Sequence, residues 1–595
     1  VESWSYTVST NHSSSLALSN NPHLPTQPDT RLRISHAHQP NMEKTKAPRA
    51  TFTATHEVDT GEIIDDNHGL KRHLSNRKIQ LIAIGGSIGT AMFVSIGTSL
   101  NGGGPGSLLL AYGLYSCVLA LVNNAMAEMA VYMPVNASFI RHAAVWVDDA
   151  WGFMAGWNFF FYEAILIPFE ISALNLVIKY WSDDVPVGAI CAACIVSYGL
   201  INVAAVRYYG EAEFWLSWGK LLLMGIVFSF TFVTMVGGNP THDVYGFRYW
   251  NNPGAFAEYI TTGTMGHFEG FLKALWGASF ALVGPEYMAM VAGEAKLPRI
   301  TLKRAFKSVY IRFGIFFIGG ALCTGIVIPY NDKTLLKNLG TSTGAASPYV
   351  IAMQNMGVAG LPSLVNALLL TSIYSAGNAY CYCATRTLHG LAHDGHAPQF
   401  LKKCTKQGVP IYCLGITMVF PLLSLLQLSN GSNQVLTWLV NIVTAGGVID
   451  YIVICTTYIF FYRACKAQGI NRRELPYYGY FQPWSTVFAL CWMICIVTCY
   501  GYATFLPGNW NVGTFFTYYA MVFLAILTFS GWKIFKRTKF IKPLEADLVW
   551  DRPAIERYEL TTLDKDIGFW NEMLLIVGIK RSKVEVAEGS PEILY

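Results

Sequence analysis

Apolar residues in this chain come in long runs rather than in short alternations. Residues 1–72 are polar, rich in Ser, Thr, Asn, Pro and His, and show no sustained hydrophobic period. From Ile79 onward apolar runs recur, most of them near the 20 residues that cross a hydrocarbon core as a helix. The first six lie near 79–98, 107–132, 153–178, 186–206, 214–236 and 267–291. Six more lie near 308–328, 361–388, 411–429, 434–461, 485–503 and 514–535. The 361–388 run turns polar in its second half. The pattern predicts an all-α integral membrane protein with twelve transmembrane helices.

Two of these runs are interrupted. The first carries Gly85-Gly86-Ser87-Ile88-Gly89-Thr90 at its centre, between apolar flanks. Backbone groups in lipid must be paired, so a loosened helix is tolerated only where it faces protein or a water-filled cavity. Two readings fit: a half-helix end that binds a charged group, or small residues that let helices approach closely. The sixth run breaks at Val283-Gly284-Pro285-Glu286, where proline removes a helical hydrogen bond. A kink without function is the plain alternative. Breaks five spans apart, one of them carrying a carboxylate, match the inverted-repeat plan of secondary transporters. The repeats would then be about 79–236 and 267–461, with helices eleven and twelve, about 485–535, appended.

Charge placement fixes an orientation. With the N-terminus inside, inner loops hold roughly two dozen Lys and Arg and outer loops about four, a strong positive-inside bias. The clusters are Lys71/Arg72/Arg77/Lys78, Lys296 to Lys307, Lys402/Lys403/Lys406, Arg463 to Arg473 and Lys533 to Lys539. Both termini are therefore expected in the cytoplasm. The domain reading is a disordered cytoplasmic tail over 1–72, a transporter domain over 73–540 and a second cytoplasmic tail over 541–595. That last tail has Trp550 and Trp570 as isolated apolar anchors. No signal peptide is expected, and the first methionine is Met42, which leaves open whether the native chain starts there.

Composition agrees with the pattern: 53% of the 595 residues are hydrophobic and 13% charged, with a mean hydropathy of +0.35. Soluble domains carry about 25% charged residues. Most of the thirteen cysteines sit inside apolar runs and act as small hydrophobes. No metal centre or cofactor is expected, and neither a nucleophile motif nor a phosphate loop points to an enzyme.

An ionisable residue at a helix centre in the membrane costs about 2.5–3.5 kcal/mol, so each is a functional candidate. Glu170 lies in the third span, with Glu163 seven residues earlier on the same face. Lys220 lies near the start of the fifth span, and Glu286 follows the sixth-span break. Burial favours the neutral forms of both Glu170 and Lys220, which suits proton exchange; a fixed buried salt bridge is the alternative. Glu163 reads better as structural. Lys273 and Arg312 sit nearer span ends, where their heads reach the interface. Glu128, Glu211 and Glu213 lie at cytoplasmic ends, as structural or gate pairs.

These motifs together resemble the fungal plasma-membrane amino-acid permeases of the amino acid–polyamine–organocation superfamily. The resemblance rests on Gly86-Ser87-Ile88-Gly89-Thr90 with Met92-Phe93, Ala127-Glu128-Met129-Ala130 with Pro134, and Ile167-Pro168-Phe169-Glu170-Ile171. It continues through Tyr209-Gly210-Glu211-Ala212-Glu213-Phe214 with Lys220, Ala292-Gly293-Glu294-Ala295 with Pro298-Arg299, Thr385-Arg386 and Gly395-His396-Ala397-Pro398. It implies a leucine-transporter-like fold of five plus five inverted repeats with broken helices one and six, and proton-coupled amino-acid import. It further implies that the N–H groups of Gly86 to Thr90 bind the substrate carboxylate. Carbonyls of Phe280, Ala281 and Leu282 would take the ammonium, with Phe280 as an aromatic gate and Gly284, Pro285 and Glu286 beside the site. Glu170 and Lys220 would couple the proton. Much of the family has Gly-Thr-Glu at the sixth-span break; Gly284-Pro285-Glu286 is similar to the proline-permease branch, as are Ile328-Pro329-Tyr330-Asn331-Asp332 and Ser347-Pro348-Tyr349-Val350. Proline or neutral amino acids are the expected substrates. Alternatives are a polyamine- or choline-type cation permease and a transporter-like nutrient sensor. The expected partners are the substrate, the proton, the bilayer and, at Lys44 and Lys46, a ubiquitin-ligase adaptor; no nucleic acid is expected.

Overall fold

A computed structural model describes residues 89–182, 184–203, 206–340, 347–405, 408–430 and 432–561. The N-terminal tail with Met42, Lys44 and Lys46, the site residues Gly86, Ser87 and Ile88, and Trp570 lie outside the described residues. Every regular element among the described residues is helical.

The first helix, α1 (Ala91–Tyr132), opens with a π-helical turn and merges the first two predicted runs across a kink at Gly104. Gly104 has φ 78°, and a Cβ there would stand 2.7 Å from the Ala255 carbonyl oxygen. Glycine is thus needed both for the conformation and for the close approach of the 255–257 strand of chain. A short helix α2 (Ser138–Trp146) follows. Asp148 then caps α3 (Asp149–Ile178), accepting from the Ala150 N–H at 2.9 Å. Next come α4 (Val187–Val203), α5 (Val206–Met235) and α6 (Gly263–Ala281), with α7 (Pro285–Met290) directly after a break. The second half holds α8 (Pro298–Val327), α9 (Leu361–His393), α10 (Ile411–Asn430) and α11 (Ser432–Ala467). It closes with α12 (Trp484–Cys499), α13 (Val512–Lys536) and α14 (Arg552–Thr561).

Seven helices among the described residues are long and apolar enough to cross a membrane, and α4 and α12 are apolar but shorter. The tightest packing joins α3 to α9 and α1 to α6. Their contacts use small residues: a Cβ on Gly103 would stand 2.6 Å from the Gly270 carbonyl, and one on Gly156 2.3 Å from Leu391.

The basic ends of the helices gather at one end of the bundle, where buried and half-buried ion pairs tie them. Glu128 of α1 takes both Arg472 guanidinium contacts at 2.7 Å, the Tyr458 hydroxyl at 2.9 Å and the Gly479 N–H at 2.9 Å. This is the structural pairing expected for Glu128. Arg386 meets Glu294 at 3.7 Å, and Arg141 meets Asp394 at 3.8 Å and Asp551 at 3.7 Å. Residues 541–561 lie against the same end. The Ile541 N–H donates to the Val147 carbonyl at 2.9 Å, Trp146 Nε1 to Asp547 at 2.9 Å, and the Tyr132 hydroxyl to Leu548 at 2.9 Å. Trp550 is not an isolated anchor, since the Arg141 guanidinium lies 4.9 Å from its ring centre.

His142 of α2 is part of this layer. Its ring stacks on Trp146 at 4.2 Å, and Nε2 donates to the Met133 carbonyl at 3.0 Å. Burial pushes its pKa down to about 3. Below its ordinary value the unfolded chain takes up a proton that the folded chain refuses. Stability should therefore fall as pH drops from about 6.5 toward 3. Thermal unfolding of His142→Asn should show a flatter acid limb over that window than the parent; an equally steep limb would assign the acid sensitivity elsewhere.

Candidate functional site

The site forms where both interrupted runs meet α3. Helix α6 stops at Ala281, because Leu282 is extended (φ −88°, ψ 108°) and Pro285 fits only the first turn of a new helix. The Gly284 N–H donates to the Glu286 carboxylate at 3.1 and 3.2 Å, so that carboxylate caps the break from within α7. Tyr451 of α11 also reaches the break, its hydroxyl 3.2 Å from Glu286 Oε1 and 3.4 Å from the Leu282 carbonyl.

On the other side, the Thr90 hydroxyl donates to Glu170 Oε2 in a short contact. Gly89 lies flat against the same carboxylate: a Cβ there would stand 3.0 Å from Glu170 Oε1 and 3.1 Å from Ala376. Glu170 is 1% exposed. Lys220 is fully buried, and its charge bears on Glu170. Among the described candidates, Gly89, Thr90, Glu170 and Lys220 therefore form one group.

Between Gly89, α3 and the sixth-span break lies a cavity of about 20 Å³ lined by Gly89, Phe169, Glu170, Phe280, Ala281 and Tyr380, among others. That volume holds about one water, so the walls must part before a larger ligand enters. Phe280 packs edge-on against Phe169 with ring centres 5.2 Å apart, placing an aromatic pair across the cavity wall. Of the predicted residues, Gly89, Glu170, Phe280 and Ala281 line the cavity; Leu282, Gly284, Pro285 and Glu286 form the adjoining break.

A Gly89→Ala substitution should act through this contact. The added methyl forces Glu170 or Ala376 to move, an overpacking cost of about 1–3 kcal/mol. The expected outcome is a raised KM for transport at an unchanged amount of protein in the membrane. A KM equal to that of the parent would mean that Gly89 does not fix the carboxylate.

Sequence reasoning missed several groups here. Tyr162, Phe169 and Tyr380 line the cavity but look like any aromatic residue in an apolar run. Asp450 lies inside the 434–461 run and is fully buried; a lone Asp in that run was a signal within reach. Arg312 is not at the interface. It is 6% exposed, its three guanidinium nitrogens make no hydrogen bond, and its charge bears on Glu286.

Comparison with known proteins adds three findings. Residues 78–545 match the amino acid permease family. The chain is 44% identical over 533 residues to the general amino acid permease AGP2 of Saccharomyces cerevisiae, covering 86% of this chain and 89% of that protein. It is 34% identical to a proline-specific permease of Emericella nidulans (89% and 98% covered) and 36% identical to the dicarboxylic amino acid permease of Saccharomyces cerevisiae (83% and 82% covered).

Proposed function

Because this chain belongs to the amino acid permease family and is a multi-pass membrane transporter rather than an enzyme, we propose that it imports amino acids together with protons across the plasma membrane. The observation that carries this reading is the contact of Thr90 and Gly89 with Glu170. It brings Gly89 and Thr90, at the end of the glycine stretch where an amino-acid carboxylate would bind, against a buried group able to carry a proton. Occupancy of one then bears on the protonation of the other, as a symporter requires. In this reading the N–H groups of Gly86 to Thr90 hold the substrate carboxylate, and the carbonyls of Phe280, Ala281 and Leu282 hold the ammonium. Glu170 takes the proton, and Lys220 balances its charge once the proton has left.

Twelve spans in two inverted repeats of five, with both termini cytoplasmic, complete the proposal. The close pairing of the third span with the eighth, α3 on α9, supports the repeat. These are equivalent members of the two halves under that plan. The relatives' names cover general, proline-specific and dicarboxylic permeases. Pro285, and a cavity whose one ionisable wall residue besides tyrosine is Glu170, favour proline or another neutral amino acid.

Uptake of radiolabelled proline, GABA, glutamate and a neutral mixture by a transport-deficient cell tests the reading. Uptake of a neutral amino acid that collapses on adding a protonophore is expected. No uptake of any of them, with the protein present at the cell surface, would end the importer reading.

A further inference from the structure

Glu163 and Asp450 are buried carboxylates outside the site described above. Glu163 lies two turns along α3 from Glu170, roughly 10 Å nearer the basic end. It is fully buried, and neither oxygen accepts a hydrogen bond, although the Tyr287 hydroxyl approaches it. Asp450 of α11 is equally buried. One of its oxygens accepts from the Asn158 amide at 2.9 Å, and the other accepts nothing.

The surrounding polar groups come from three elements. Tyr162 and Asn158 face them from α3, Glu286 and Tyr287 from α7, and Tyr380 from α9. Glu286 bears electrostatically on both carboxylates, and Arg312 of α8 bears in turn on Glu286. Ionised carboxylates with open lone pairs cannot rest unpaired in a dry interior; the place calls for a proton or a cation. Tyr380 lines the cavity beside Glu170 and also faces Glu163, so the two levels adjoin.

We propose that Glu163 and Asp450 form a second proton station, which receives the coupling proton from Glu170 and passes it toward the basic end of the bundle. In the transfer Glu163 has first released its resting proton toward the basic end; the Tyr380 hydroxyl, which adjoins both levels, then takes the proton of Glu170 as it gives its own to the Glu163 carboxylate, so that Glu170 ends as carboxylate beside Lys220, Glu163 as the acid and Tyr380 unchanged. Asp450 is the next acceptor. The station rests on the proton-coupled reading above and extends it from the binding site to the exit route.

The test uses the full chain in proteoliposomes with labelled proline, or whichever amino acid of the uptake panel the parent carries. Counterflow exchange without a pH gradient is compared with gradient-driven accumulation. Glu163→Gln and Asp450→Asn should keep counterflow near the parent level and lose accumulation by about ten-fold or more. Glu163→Asp should recover part of it. Parent-like accumulation in both variants would overturn the station. So would equal loss of counterflow and accumulation that Glu163→Asp does not repair, which marks a purely structural role. A loss confined to labelled lysine would make these groups a subsite for cationic substrates and overturn it as well. If accumulation by the parent itself ignores the pH gradient, both the station and proton coupling fall.

Discussion

Glu170→Gln should still bind and exchange its amino acid but lose gradient-driven accumulation by about ten-fold or more, with a flattened pH dependence of uptake. Glutamine keeps the volume and still accepts from the Thr90 hydroxyl, so the contact at Thr90 survives while the transferable proton does not. The change also takes the Glu170 charge away from buried Lys220. Removing one partner of a buried pair costs about 3–5 kcal/mol, whereas replacing both by apolar groups is often neutral. The double variant Glu170→Gln, Lys220→Met should therefore exchange better than Glu170→Gln alone, a coupling that a double-mutant cycle measures directly. Equal exchange rates in the single and double variants would show that the two charges do not act as a pair. Unchanged pH dependence in Glu170→Gln would remove the carboxylate from proton coupling.

Glu128→Ala should produce the largest loss of stability. Four donors converge on this buried carboxylate: two guanidinium nitrogens of Arg472, the Tyr458 hydroxyl and the Gly479 N–H. Truncation strands the Tyr458 hydroxyl proton, the Gly479 N–H and Arg472 Nε, while Arg472 Nη2 keeps the Tyr458 hydroxyl and the Gly479 carbonyl; the partly buried arginine loses its counter-charge, a loss of about 3–5 kcal/mol. The loop is built to this side chain, since a Cβ at Gly479 would lie 2.5 Å from Glu128 Oε2. Thermal unfolding in detergent should show a clear drop for Glu128→Ala and a smaller one for Glu128→Gln, whose amide oxygen at the Oε2 place still accepts the three bonds made there. Protein that survives should bind substrate as the parent does, because Glu128 does not line the cavity. A Glu128→Ala protein as stable as the parent would show that the network carries no net energy.

Some of this was legible in the chain and some was not, for physical reasons. The sixth-span break was readable because proline cannot continue a helix, and the structure interrupts α6 within three residues of Pro285. Glu170 was readable because a carboxylate in an apolar run is too costly to bury without a partner or a task. Its partner Thr90 was readable only as part of a small-residue stretch, since nothing local says which helix a hydroxyl will meet 80 residues away. The place of Arg312 was not readable, because distance to a span end does not report packing. The apolar residues around it on α8 fold it inward, toward Glu286. The fate of residues 541–561 was also hidden. A polar stretch with one Trp reads as a free tail, whereas Gln468, Tyr132 and Trp146 each donate to its backbone.

The coupling of amino acid to proton is tested most directly by recording both at once. Full-length protein is reconstituted with a pH-sensitive dye trapped inside the vesicles, and proline is added outside with no initial pH gradient. An inward proton flux that rises with amino-acid uptake, and disappears in Glu170→Gln, is the expected result. Amino-acid uptake of normal size with no change in internal pH would contradict proton coupling through Glu170.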